Sequence, residues 1–204
     1  MAKERRCNIC MRFDDNDIFY LSEEDLVAAF SDAYVRTRER DSALFEESRP
    51  QERAFMFRFA LELRNCFAEV ETHLSRHDGK PVISLDVEYN RDGCSLKAED
   101  PENPGTHKWI APDIILHERL SGEFNGDAKN RNNIFACEMK KNALSDGEDS
   151  ERVKSFLAKR RYQFGVDFFR FATADAAFDL YYYGEKKRTY CFQKETKKFI
   201  QVKS

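Results

Sequence analysis

Three side chains in two short segments of the chain could assist the hydrolysis of a phosphodiester bond. Asp113 follows Pro112, and Glu138 and Lys140 stand two positions apart. Metal-assisted attack of water on phosphorus requires hard oxygen ligands for a divalent cation and a fixed positive charge near the attacking water. The carboxylates of Asp113 and Glu138 and the ammonium group of Lys140 meet these two requirements.

The pattern around these residues predicts two buried strands. Residues 133–140 form an apolar run, and side chains two apart on a strand share a face, so Glu138 and Lys140 project from the same side. Residues 109–117 form a second apolar run that precedes it. If the two strands pair, Asp113 converges with Glu138 on one ion.

Glu52 is a third candidate carboxylate. It precedes Met56 by four positions and Phe59 by seven, which places it on the apolar stripe of a helix predicted over residues 51–74. A charge on a stripe that faces the core is costly unless it is paired or bound to a metal. The alternative is an acid of the first turn, which the helix dipole favours. Both interpretations remain open at this stage.

The hydrophobic periodicity predicts an α/β fold in which helices pack on a small mixed sheet. A helical extension over residues 1–48 precedes a core domain over residues 49–204. The predicted elements are helices at 22–38, 51–74 and 149–172, the last of which Gly165 could interrupt, and strands at 82–89, 109–117, 133–140, 178–183 and 189–192.

These residues and this order of elements resemble the PD-(D/E)xK nuclease superfamily, whose restriction-endonuclease-like core has the order αβββαβ. The match consists of Glu52 in the first core helix, the dipeptide Pro112-Asp113 and the triplet Glu138-Met139-Lys140. The resemblance implies that Asp113 and Glu138 bind Mg²⁺ or Mn²⁺, and that Glu52 is an outer or second-metal ligand. It also implies that Lys140 positions the nucleophilic water.

Gln163 is a further candidate catalytic residue on the same basis. Some members of the superfamily carry a glutamine on the following helix with a tyrosine four residues later. Here the fourth residue after Gln163 is Asp167, and Tyr162 is adjacent instead. The chain therefore departs from that subgroup.

Basic residues near the end of the chain are candidates for contacts with a nucleic-acid backbone. They are Arg160, Arg161, Lys186, Lys187 and Arg188. Their positive charges could pair with phosphates. A lysine-rich turn is also a common way to keep an edge hairpin soluble.

Two other sets of residues have competing interpretations. Cys7 and Cys10 could join His73 and His77 in a zinc site, but the interval between the halves far exceeds that of a zinc finger, which favours incidental residues. Asp86 and Glu88 share one face of a predicted strand. They are either additional metal ligands or a pair of acids that faces solvent.

The sequence predicts a divalent-metal-dependent nuclease, a phosphodiester hydrolase that acts on DNA. The alternatives are an inactive nuclease-fold module that binds nucleic acid or a protein partner, and an interaction protein that docks through residues 1–50. A homodimer and a role in bacterial defence or repair are what the resemblance suggests. The 204 residues carry a net charge of −3 and no apolar run of membrane-spanning length, so we expect a soluble, cytoplasmic protein. Motifs typical of P-loop ATPases, zinc proteases and serine hydrolases are missing from the sequence.

Overall fold

The structure is a computed structural model, and it describes most of the chain. Within the part that it describes, no helix combines the length and the hydropathy needed to cross a lipid bilayer. The described residues are 9, 12–13, 19–45, 52–73, 83–88, 91–92, 95–96, 112–118, 133–141, 147–160, 162–182 and 185–202.

A mixed β-sheet of seven strands forms the centre of the molecule. In chain order the strands of the protein are β1 (Arg12–Phe13), β2 (Phe19–Tyr20), β3 (Ile83–Val87), β4 (Arg91–Asp92), β5 (Ser95–Leu96), β6 (Ile114–Glu118), β7 (Phe135–Lys140), β8 (Phe164–Phe169), β9 (Ala177–Tyr182), β10 (Glu185–Gln193) and β11 (Lys198–Gln201). The order across the sheet is β11-β10-β9-β8-β7-β6-β3, while β1 pairs with β2 and β4 with β5. Strands β7 and β8 are parallel, and the other neighbours are antiparallel.

Three α-helices accompany the sheet in the described residues: α1 (Glu23–Arg40), α2 (Glu52–His73) and α3 (Gly147–Arg160). Ser22 caps α1, because its Oγ accepts a hydrogen bond from the Asp25 amide and donates one to the Asp25 carboxylate. The chain belongs to the α/β class, as the sequence predicts. The predicted helices at 22–38 and 51–74 are confirmed.

Helices α1 and α2 pack on one face of the sheet and bury an aromatic core. Phe30 of α1 and Phe59 of α2 meet edge to face, with ring centroids 5.4 Å apart. Phe30 also contacts Phe135 of β7 and Phe178 of β9. These rings are fully buried, and each contributes about 1.5–3 kcal/mol through burial.

Part of the predicted N-terminal extension contributes to this same core. Leu26, Phe30 and Tyr34 of α1 are completely buried in it. The Tyr34 hydroxyl donates a hydrogen bond of 2.9 Å to the Phe171 carbonyl oxygen. The domain boundary at residue 48 stays a prediction, since residues 46–51 lie outside the described part of the chain.

The predicted helix at 149–172 is wrong in its second half. Helix α3 ends at Arg160, and residues 164–169 form strand β8 in the interior of the sheet. A strand that is buried on both faces is a nearly continuous apolar run, which periodicity does not distinguish from a buried helix. Gly165 allows α3 to approach closely, since a Cβ there would lie 2.3 Å from Val153 Cγ1.

Strands β9 and β10 confirm the two predicted strands near the end of the chain. The sequence analysis missed β11, which forms one edge of the sheet. The Phe199 amide of this edge strand donates a hydrogen bond of 3.0 Å to Ser31 Oγ on α1. The helix therefore satisfies a backbone donor that an edge strand would otherwise offer to another chain.

Candidate active site

Helix α3 covers the second face of the sheet and contributes to a smaller apolar cluster. Val153 and Leu157 of the helix belong to this cluster with Ile115, Ala136 and Tyr181 of three strands. Because side chains alternate along a strand, the residues two positions from these share the same face. Several of those neighbouring positions are occupied by acids.

Four acidic residues form a row across this face, which we call the acidic row. Ile114 of β6 pairs with Cys137 of β7 in an antiparallel register. One position beyond this pair, Asp113 therefore lies opposite Glu138. Glu138 pairs with Asp167, and Asp167 pairs with Asp179. Directly opposed residues have Cβ atoms about 4.5–5.5 Å apart, so carboxylates of adjacent strands are close neighbours. The acidic row comprises Asp113, Glu138, Asp167 and Asp179.

Asp113 and Glu138 are held differently within the row. Asp113 Oδ2 accepts a hydrogen bond of 2.7 Å from the Met139 amide, which orients its carboxylate. Glu138 is 5% exposed, and its Oε1 has no hydrogen-bond partner among the described residues. An unsatisfied buried oxygen is costly, and the cost is larger when the group is charged.

The electrostatics of this pair favour protonation when no cation is present. Burial raises the pKa of Glu138 to about 9, and the neighbouring charge of Asp113 adds to the effect. Burial also raises the pKa of Asp113 to about 6, with a contribution from Glu52 that the hydrogen bond from Met139 opposes. Two facing carboxylates therefore repel each other in a site with little water to screen them.

Glu52 lies at the rim of the row. It is the first residue of α2 and its side chain is exposed, which fits the helix-dipole interpretation. Its charge nevertheless contributes to the raised pKa of Asp113, so the two carboxylates are within electrostatic range. The adjacent Arg53 forms an ion pair of 3.3 Å with Glu88, whose amide donates to the Asp113 carbonyl oxygen. Helix α2 thus begins beside the end of β3 and Asp113.

Lys140 shares the face of Glu138 and reaches α3. Its Nζ lies 2.8 Å from Oδ2 of Asp149, a residue that the sequence analysis missed. Arg152 Nη1 lies 3.6 Å from the other oxygen of Asp149. Asp149 therefore holds one cation from the strand and one from the helix while being nearly buried itself.

Asp167 and Asp179 are the members of the row that the sequence analysis did not predict. Asp167 Oδ2 accepts a hydrogen bond of 3.3 Å from Ser150 Oγ, and Asp179 Oδ1 accepts one of 2.7 Å from Thr189 Oγ1. Asp179 also forms an ion pair of 2.5 Å with Lys186. Each aspartate interrupts an apolar strand, and that signal could have identified both.

The side chain of Gln163 contacts the backbone around β2 and does not lie in the acidic row, so its catalytic role stays a prediction. Its Nε2 donates to the Phe19 carbonyl oxygen at 2.5 Å, and its Oε1 accepts from the Leu21 amide at 3.2 Å. It lies four residues before Asp167, about 13 Å along an extended chain. Gln163 tethers the segment that follows β2, because its amide complements the backbone there.

The predicted nucleic-acid contacts at Lys186 and Arg188 are engaged within the protein. Lys186 pairs with Asp179 as described, and Arg188 Nη1 lies 2.5 Å from Glu23 Oε1. Glu23 also accepts hydrogen bonds from two tyrosine hydroxyls of the sheet, Tyr182 and Tyr190. The side chains of Arg160, Arg161 and Lys187 lie outside the described residues.

The structure describes some of the remaining candidate metal ligands and leaves others outside the described residues. Asp86 is buried, and its Oδ2 lies 3.0 Å from His117 Nε2. The interpretation of Asp86 as a solvent-facing acid is therefore wrong. Glu88, in contrast, is exposed. The residues proposed for zinc, Cys7, Cys10, His77 and the side chain of His73, lie outside the described part. Among described side chains, no group of three or more His, Cys, Asp or Glu is arranged to hold a metal ion.

Comparison with other proteins adds no family assignment. A scan against protein-family models, a search of curated proteins and a search of solved structures each returned no match. The functional argument therefore depends on the geometry of the acidic row and on the resemblance drawn from its residues.

Proposed function

We propose that the protein is a divalent-metal-dependent nuclease that hydrolyses phosphodiester bonds in DNA. The observation that carries the proposal is the approach of Asp113, directly before β6, to the end of β7 at Glu138 and Met139, together with a buried oxygen of Glu138 that has no partner among the described residues. Two such carboxylates are difficult to ionise together without a cation, and a cation between them would remove both the repulsion and the unsatisfied oxygen.

The donor set suits Mg²⁺ or Mn²⁺. These hard cations prefer oxygen ligands, and Mg²⁺ is usually bound through one or two carboxylates together with waters and substrate phosphates. Asp113 and Glu138 supply that number. A set of three protein ligands in the described residues is therefore not required for the fit. Glu52 at the rim would contribute an outer negative charge.

The residues of the site have separable roles in the proposed reaction. A bound divalent cation supplies a Lewis acid and lowers the pKa of an attacking water. The amide of Met139 holds Asp113 in one orientation, which reduces reorganisation during the reaction. Lys140 pairs with Asp149 and would place a positive charge beside the acidic row. Negative charge that develops on the phosphoryl group is stabilised there.

The resemblance to the PD-(D/E)xK superfamily supports the choice of reaction and of DNA. Helix α2, strands β3, β6 and β7, helix α3 and strand β8 occur in the order αβββαβ, with the short paired strands β4 and β5 inserted between β3 and β6. The triplet Glu138-Met139-Lys140 forms the end of β7, and Asp113 lies opposite Glu138. A homodimer and a role in bacterial defence extend the proposal through the same resemblance.

Calorimetry with Mn²⁺ and a cleavage assay test this function together. We expect the parent protein to bind Mn²⁺ and to cut plasmid DNA, and we expect Glu138→Gln and Asp113→Asn to abolish both activities. Glutamine has the shape of the protonated glutamate, so the fold should persist, which circular dichroism will check. The matched control is Glu151→Gln, an exposed acid of α3 that pairs with Lys154 and should retain activity.

The same experiment distinguishes the alternative of an inactive module. That alternative is favoured by one observation, the ion pair of Lys140 with Asp149, which engages the amine within the protein. The nuclease proposal would be contradicted if the parent protein bound no Mn²⁺ and cut none of four substrates: plasmid DNA, linear duplex DNA, single-stranded DNA and RNA. Oligonucleotide binding without metal would then support the module.

A further inference from the structure

Helix α2 presents a solvent-facing side whose composition is unusual for a protein surface. Phe57 and Leu61 lie one turn apart and are 54% and 40% exposed. Arg53 and Arg64 lie on the same stripe, since positions 53, 57, 61 and 64 recur every three or four residues. Arg58 borders this stripe and is exposed as well. An aromatic ring and an aliphatic side chain are thus flanked by three guanidinium groups.

This side of α2 continues into a groove against the end of α1. The groove has a volume of about 560 Å³. Its lining residues are Arg40, Asp41, Arg58, Leu61, Glu62, Arg64, Asn65 and Ala68.

The charges of the groove leave room for an anion. Arg40 pairs with the nearly buried Glu62 at 2.7 Å, which neutralises the acid that lies deepest. Arg58 faces Asp41 across 3.5 Å, and both side chains are partly exposed. Such surface pairs contribute only about 0–1 kcal/mol, so a phosphate can replace the carboxylate at little cost. Arg64 is a third, exposed cation in the lining of the groove, and it also interacts within the protein.

The arginine-lined side also leads to the candidate active site. Arg53 is at the start of α2, next to Glu52, and pairs with Glu88 at the end of β3. Arg58 and Arg64 follow along the same helix, about 8 Å and 17 Å further from the site at a rise of 1.5 Å per residue. A chain of phosphates bound along α2 would therefore end beside Glu52, at the rim of the acidic row.

We propose that the exposed side of α2 and the adjoining groove bind single-stranded nucleic acid. The arginines contact phosphates, and the ring of Phe57 stacks on a base. Single strands expose base faces to an aromatic side chain, whereas the bases of a duplex are stacked on one another. The inference rests on the proposed function and names its substrate class, a single strand or a single-stranded end.

Fluorescence anisotropy in EDTA tests the inference without relying on catalysis. The probe is a labelled single-stranded DNA oligonucleotide, with the same sequence as a duplex for comparison. We expect the double variant Arg58→Ala/Arg64→Ala to bind the single strand at least tenfold more weakly than the parent. Loss of two phosphate contacts should also reduce the slope of log K against log salt by about 1.4.

The variant Phe57→Ala separates stacking from charge. We expect it to weaken single-strand binding about fivefold or more, with the salt slope unchanged, because a stacking contact releases no counterions. Lys194→Ala is the matched control, an exposed cation in the turn before β11, and its affinity should equal that of the parent. Circular dichroism and the oligomeric state are recorded for each variant.

Three results would overturn the inference. They are equal affinity of the parent for duplex and single strand, unchanged affinity in the double arginine variant, and a dimer of the parent that Phe57→Ala dissociates. The last result would show that a second copy of the chain covers this side of α2. None of these three results affects the Mn²⁺ test at Asp113 and Glu138, so the binding inference and the nuclease proposal can fail separately.

Discussion

The two faces of the central sheet differ sharply in what they bury. Phe168 and Asp167 are consecutive residues of β8, and both are completely buried. Phe168 contacts the rings of Phe59 and Phe178 on the face that α1 and α2 cover. Asp167 faces α3, between Glu138 and Asp179. One face therefore gains free energy from burial, and the other places charged groups where burial is costly.

This difference shows how one sheet can provide stability and a reactive site at the same time. Aromatic burial on the first face provides a large favourable term that the acids on the second face partly offset. A cation reduces the cost at one end of the acidic row, where Lys186 pairs with Asp179, while Lys140 on the strand of Glu138 pairs with Asp149. The middle of the row, at Glu138, keeps an unsatisfied oxygen.

The largest effect on stability is expected on the aromatic face. Phe168→Ala should reduce the free energy of unfolding by about 3–5 kcal/mol, because it removes a fully buried ring and leaves a cavity among its neighbours. Urea denaturation measures the change. Phe57→Ala, which truncates an exposed ring, should cost about 0.5 kcal/mol or less. Equal losses in the two variants would contradict the assignment of the core.

The next effect concerns the pH dependence contributed by Glu138. Its pKa is raised from 4.5 to about 9 in the folded protein, so the unfolded chain releases this proton at lower pH than the folded one. Below pH 4.5 the shift costs nothing. As the pH rises toward 9, stability should fall by about 1.4 kcal/mol per pH unit.

Glu138→Gln isolates this contribution, since glutamine carries no titrating proton. Urea denaturation of the parent between pH 6 and pH 8 should show the decline, and the variant should show a much flatter profile over the same interval. Added Mn²⁺ should flatten the profile of the parent because a cation favours the ionised carboxylates. Parallel profiles of parent and variant without metal would indicate that Glu138 is not shifted.

A smaller effect is expected where α3 approaches the sheet. Gly165→Ala places a methyl group 2.3 Å from Val153 Cγ1 and 3.0 Å from Leu157 Cδ1, which should destabilise the protein by about 1–3 kcal/mol. The double variant Gly165→Ala/Val153→Ala should recover part of that loss, and a double-mutant cycle measures the coupling. Additive losses would show that α3 does not contact the strand at this point.

Much of the candidate site could be predicted from local sequence. The alternation of side chains in residues 133–140 predicts that Glu138 and Lys140 share a face, and the structure confirms this strand. The convergence of Asp113 with Glu138 follows if β6 and β7 pair in an antiparallel arrangement, and the structure has this pairing. The nuclease activity and the bound metal stay predictions.

Other parts could not be predicted because they depend on contacts between distant segments. Strand β8 is an apolar run that could belong to a buried helix as well as to a strand, and its pairing with β7 and β9 distinguishes the two. Gln163 could have pointed into the site, but the backbone after β2 engages its side chain. The sequence does not show that Lys140 pairs with Asp149 or that Lys186 pairs with Asp179.

For the strands that it predicts, such as residues 133–140, the sequence by itself determined which residues share a face, because that property depends on the period of a single element. Only the tertiary structure decided that Asp113, Glu138, Asp167 and Asp179 become neighbours, and that α3 covers them. The physical reason is that strand order and register depend on the free energy of packing the whole sheet. No short segment of the chain contains that information.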